Sequence, residues 1–189
     1  DFHGGGILEW GSHTVDLCQW AADCDDTQAV EYVPKGANGA PYAVYCTYAN
    51  GIKLVMRDGN NLGKRLPDDG WLGMGSCSVR FEGDQGWVET GDGGRIAVSD
   101  NLRNQVPERL DDKLVLHYHW RDFIECIKTR SQPRANARRA CNSHVTCHAA
   151  FIAFELGRKL TWDPAKEEFV NDAEANRMRS RAVRKPWAI

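Results

Sequence analysis

Glu9 and His13 stand four residues apart, and so do His144 and His148. On a helix that spacing places both members of a pair on one face. A carboxylate beside an imidazole supports the protonated ring and raises its basicity, which suits a general base working near neutral pH. Two imidazoles at this spacing can also share a zinc ion, with Glu9 or His13 as further ligands. Blander readings stand beside these. His13 can simply pack or cap at a helix start. One of His144 and His148 can face a pocket while the other is hydrogen-bonded in the core.

The first pair belongs to Gly4-Gly5-Gly6-Ile7-Leu8-Glu9-Trp10-Gly11-Ser12-His13-Thr14-Val15-Asp16. Its glycines let the backbone turn sharply or approach a ligand closely. Other groups carry less. His117 and His119 flank Tyr118 and read as exposed or capping. Gly73-Met74-Gly75-Ser76-Cys77-Ser78 resembles a phosphate loop but precedes a strand, not a helix. Gly91 to Gly94 reads as a turn. The cluster Arg177, Arg179, Arg181, Arg184 and Lys185 reads as a solvated tail or a subunit contact.

Elements must position these residues. Val15, Cys18, Ala21 and Ala22 recur at helical spacing, so Ser12 to Ala22 is expected as a helix. Strands are expected at Ala29–Val33, Tyr42–Ala49, Ile52–Met56, Val79–Glu82, Gly86–Thr90 and Arg95–Ser99, with Asn50-Gly51 marking a hairpin. Residues 57–76 read as a long loop. Helices return at Tyr118–Thr129 and Asn136–Leu156, the second closed by Gly157. Leu160-Thr161-Trp162 is a short strand with a partner near Phe169. The order predicts an α+β fold, an open, mostly antiparallel β-sheet with helices on one face.

The totals exclude several classes. The chain has 189 residues, 42% hydrophobic and 26% charged, an ordinary globular mix that fits one domain over residues 1–189. The net charge of -2 predicts neither nucleic acid nor an anionic membrane as partner. No apolar run reaches the roughly 18 residues of a membrane span. The first residues lack the basic start and apolar stretch of a signal peptide. Seven cysteines without a Cys-x-x-Cys pair read as reduced, buried thiols, which predicts a cytoplasmic setting.

The run Gly-Gly-Gly-x-Leu-x-Trp-Gly-x-His-x-x-Asp-x-x-Gln-Trp-Ala resembles the opening of the C-terminal domain of Gfo/Idh/MocA oxidoreductases. The likeness is to sugar-acting branches in planctomycete-like and Bacteroidetes-like bacteria. It continues through Phe123–Arg130 with Pro133, Ser143–His148, Leu156–Pro164, Glu174–Arg177 and Pro186-Trp187.

That resemblance implies an NAD- or NADP-dependent enzyme acting on a sugar, polyol or glycoside carbinol. His13 would be the catalytic acid/base. Glu9 takes the place where the family commonly has Asp. The substrate would meet His148, His144 and Trp10, and Gly5 and Gly6 would approach the cofactor. Asp16 matches a family position read as structural before substrate-binding. No metal is expected, because the family's chemistry uses a nicotinamide. Homo-oligomers would form through the open sheet face, with Val44, Cys46, Val55, Val79, Phe81, Trp87 and Val88 as apolar candidates. The sequence contains neither a Gly-x-Gly-x-x-Gly strand–turn–helix unit nor the family's Glu-Lys-Pro motif. The N-terminal dinucleotide-binding domain is therefore expected to lie outside this chain. The alternative is a stand-alone, non-catalytic module for sugar binding and oligomerisation.

Overall fold

The computed structural model describes residues 5–35, 43–57, 72–74, 77–91, 94–108 and 115–181. Gly4, the start of the expected strand at Tyr42, most of the 57–76 loop, the tip of the Gly91–Gly94 turn, and Arg184 through Trp187 lie outside the described residues.

Two short helices open the chain, α1 (Gly5–Leu8) and α2 (Gly11–Ala21). Strands β1 (Glu31–Lys35), β2 (Ala43–Thr47) and β3 (Lys53–Arg57) follow. Next come β4 (Val79–Gly83), β5 (Gly86–Thr90) and β6 (Ile96–Val98). Helices α3 (Val115–Thr129) and α4 (Ala137–Leu156) precede β7 (Leu160–Asp163), β8 (Glu168–Phe169) and α5 (Ala173–Arg177). The class is α+β, as expected, and every strand pairing among the described residues is antiparallel.

In keeping with the expected antiparallel architecture, the described strands are grouped as β3-β2-β1-β7-β8 and β4-β5-β6. In the larger sheet β1 pairs with β2 along its whole length but with β7 only at Glu31 and Tyr32. Pro34 has no N–H for a ladder, and it sits beyond the end of the β7 pairing. The β2–β3 hairpin turns through three residues rather than through Asn50-Gly51 alone. Gly51 N–H donates to the Tyr48 carbonyl (2.9 Å), and Gly51 then takes φ +87°, the pattern of a turn followed by a glycine bulge.

Helix α4 covers one face of the larger sheet. Asn136 starts it, its side chain accepting from Arg139 N–H (3.1 Å), and Gly157 ends it at φ +64°. Its inward residues include Ser143, Cys147, Ala149, Ala150 and Ala153. Such small side chains let the helix lie close to Tyr32, Val44 and Cys46, all buried. Val44 and Cys46 are therefore core residues beneath α4, and Val79 on β4 is buried as well, which corrects their placement on an open oligomer face. The expectation failed because strand alternation does not say which face is covered.

The smaller sheet is held by a buried carboxylate. Glu89 accepts from the amides of Leu72 (3.0 Å) and Gly73 (2.6 Å), and the Arg80 guanidinium lies 3.8 Å away. A buried charge is tolerated only with such partners. Gly86 is obligatory at its turn. It has φ +143°, and a Cβ there would come within 2.1 Å of Ser99 Oγ.

Past α4, Arg158 pairs with both Asp172 and Glu174. Asp172 also caps α5 by accepting from Ala175 N–H (3.0 Å). The Arg158 guanidinium and then the Ala175 amide hold the Asp172 carboxyl well below its usual range, at about 2. A depressed carboxyl pKa stabilises the fold above the unfolded value, and that stabilisation is lost as pH falls through the folded one. Asp172→Asn is therefore expected to cost about 1 kcal/mol at neutral pH. The difference from the unsubstituted protein should vanish as pH falls toward about 2, as read by thermal unfolding across pH.

Candidate active site

The glycine-rich opening folds as two helical segments rather than one loop and one helix. Ile7 is buried, which anchors α1. Glu9 and Trp10 form the turn between α1 and α2, and His13 N–H bonds back to the Trp10 carbonyl (3.1 Å). Glu9 lies in that turn and His13 in the first turn of α2, and Trp10 between them keeps right-handed helical backbone angles, φ -78° and ψ -25°. Gly5 and Gly6 lie within α1, and a Cβ on Gly11 would meet the Gly6 carbonyl at 3.3 Å.

On α2, Val15 and Gln19 turn inward. Buried Gln19 donates to the carbonyls of Cys24 (3.1 Å) and Thr27 (2.9 Å) and fixes the end of the helix. His13 therefore falls on the outer surface and is exposed. Trp10 is 63% exposed, its ring centroid 5.6 Å from that of His13. An aromatic face beside an imidazole offers a stacking surface next to a proton-transfer group.

Asp16, one turn beyond His13, accepts from Ser143 Oγ on α4 (2.9 Å). That bond joins the helix carrying His13 to the helix carrying His144 and His148. His144 follows Ser143 directly, and both α4 histidines are exposed. Partial burial, and then the neighbouring His144, lower the pKa of His148. The ring consequently stays neutral to lower pH and keeps a lone pair available.

A buried polar chain supports the contact. Asn142 accepts from Gln28 Nε2 (2.6 Å) and donates to the Asp25 carbonyl (2.9 Å). Gln28 Oε1 accepts from Trp162 Nε1 (3.2 Å), and Arg139 reaches the Asp25 carboxylate at 3.1 Å. Neither this chain nor Ser143 as the partner of Asp16 was evident from sequence. The partners lie more than 100 residues apart, |i−j| being 114 for Gln28–Asn142 and 127 for Asp16–Ser143, so no local spacing signals them.

Other candidates are placed elsewhere. Leu72 and Gly73 do present amides to an anion, but it is the chain's own Glu89. His117 and His119 are exposed on α3. Two shallow concavities of about 430 and 460 Å³ lie along α3, and neither is lined by His13, His144 or His148. Helix α3 also exposes Trp120, Phe123, Ile124 and Ile127. All seven cysteines are free, and burial pushes the Cys18 and Cys147 thiols up to about 12. Among the described residues no group of three or more His, Cys, Asp or Glu side chains is placed to hold a metal ion, and no helix is long and apolar enough to cross a membrane.

The described sheets are entirely antiparallel. A dinucleotide cradle of the usual kind needs parallel strands and a glycine turn into a helix, and the described residues form no such cradle. What they present is an exposed imidazole on one helix, tied by a carboxylate to a second helix bearing two more.

Residues 1–189 match the family model for the C-terminal alpha/beta domain of the Gfo/Idh/MocA oxidoreductase family. The chain belongs to that family. No curated protein matches it.

Proposed function

We propose that this chain is the substrate side of an NAD(P)-dependent oxidoreductase acting on a carbinol carbon of a sugar, polyol or glycoside, with His13 as the acid/base. The observation that carries this reading is the exposure of His13 one turn ahead of the Asp16–Ser143 contact between α2 and α4. A nicotinamide, bound mainly by a separate N-terminal domain, would supply the hydride acceptor. His13 would take the hydroxyl proton. Trp10 would stack on the sugar ring. His148 and His144 would bond its hydroxyls, and Asp16 would hold the two helices in register. Glu9, a carboxylate four residues before His13, would tune the basicity of its ring.

The test is turnover by the full-length protein with NAD⁺ and NADP⁺ on a panel of sugars, polyols and glycosides, followed by nicotinamide absorbance. Reduction with at least one carbohydrate is expected. Turnover confined to non-carbohydrate alcohols would overturn the substrate class. No turnover with any panel member would favour the second reading, a non-catalytic sugar-binding and oligomerisation module. The exposed apolar stripe of α3 is the feature that supports this alternative.

A further inference from the structure

We propose that His144 and His148 form a two-imidazole chelating site for a borderline divalent transition-metal ion, with Zn²⁺ as the representative case. The pair stands four residues apart on α4, a spacing that brings side chains together on one face. The scaffold is rigid. Helix α4 runs for 20 residues, is capped by Asn136 and Gly157, and buries its opposite face in the core. Little ordering is left to do when a ligand arrives, and preorganisation favours binding.

Both rings are open to solvent. Among the described residues neither makes a hydrogen bond or an ion pair, so their nitrogens are not already committed. A metal takes only the neutral imidazole, so binding is expected to weaken as pH falls. Two nitrogens at about 2.0–2.1 Å would occupy part of a tetrahedral shell, with water completing it. Imidazole ligands select Zn²⁺ and its neighbours over the hard ions Mg²⁺ and Ca²⁺. The other histidine pair differs. His117 and His119 are two apart on α3 and point to different faces.

This inference does not rest on the carbohydrate reading, because the metal alone probes it. If both hold, the cation competes with substrate hydroxyls for the same rings, and Zn²⁺ inhibits turnover competitively. The 189-residue chain should be titrated with zinc chloride by calorimetry at neutral pH, with magnesium chloride as the hard-ion comparison. One saturable Zn²⁺ site per chain is expected, with no Mg²⁺ heat. Binding should disappear in His144→Ala and in His148→Ala and persist in His117→Ala and Cys141→Ser. Both substituted rings are exposed, and circular dichroism verifies that each variant folds. No saturable binding by the unsubstituted chain would overturn the proposal. So would binding that survives either α4 substitution, or binding lost with Cys141→Ser, which would assign the ion to a thiolate.

Discussion

His13→Ala in the full-length oxidoreductase is expected to lower kcat/KM by about two to four orders of magnitude, the usual contribution of a positioned acid/base. In barrier terms that is about 3 to 5 kcal/mol. Stability should hardly change. The ring is exposed on the outer face of α2, and surface substitutions typically stay within about 0.5 kcal/mol. The two readouts separate a chemical role from a structural one. A lost group that acts only in the transition state lowers kcat along with kcat/KM, whereas a lost binding group raises KM alone. The pH–rate profile of the variant should also lose the limb that depends on the base. His117→Ala, exposed on α3, serves as the comparison and should leave turnover intact. Turnover by His13→Ala within a few-fold of the unsubstituted enzyme would remove His13 from the reaction.

The second large effect concerns stability. Asn142→Ala is expected to cost about 3–5 kcal/mol, because it strands two buried partners and leaves a cavity. Asn142 is fully buried, and Gln28 and the Asp25 carbonyl both depend on it. Each stranded group loses about 1–3 kcal/mol of hydrogen bonding that water cannot restore. A domain has only about 5–15 kcal/mol in total, so the loss should appear as a Tm fall on the order of 10 °C. Chemical denaturation of single and double variants makes the test specific. Gln28→Leu combined with Asn142→Leu removes both partners, so the pair should be less destabilising than the sum of the single changes. Simple additivity would show that the two side chains do not act as a unit.

The consequences for the site differ in kind. His13 lies at the surface and its loss is felt in chemistry. Asn142 lies beneath, adjoining Ser143, whose hydroxyl reaches Asp16. Loosening α4 there would shift the register between the two candidate helices, so Asn142→Ala should also impair turnover, through geometry rather than through any contact with substrate.

Much of the local structure was legible because its causes are local. Asn136 and Gly157 bracket α4 as N-cap and C-cap, and their chemistry works within a few residues. The β4–β5 hairpin follows from alternation around a short polar turn. The opening shows where local reasoning stops. Glycines disfavour helix, yet Gly5–Leu8 is helical because α1 packs on α4 and buries Ile7. That packing puts a turn at Glu9–Trp10 between the two helical segments, which the spacing alone did not reveal.

By itself the sequence determined the α+β class, the caps of the long helix, the family and the identity of the candidate imidazoles. Each rests on residue type or short-range spacing. Tertiary structure alone decided that β1 lies between β2 and β7, that the described strands fall into two groups, and that Val44 and Cys46 face inward. It also decided that Asp16 meets Ser143 and that Glu89 grips the amides of Leu72 and Gly73. The physical reason is common to all of these. Each contact joins residues distant along the chain, and its partner is selected by burial and by the need to satisfy polar groups removed from water, neither of which a local pattern encodes.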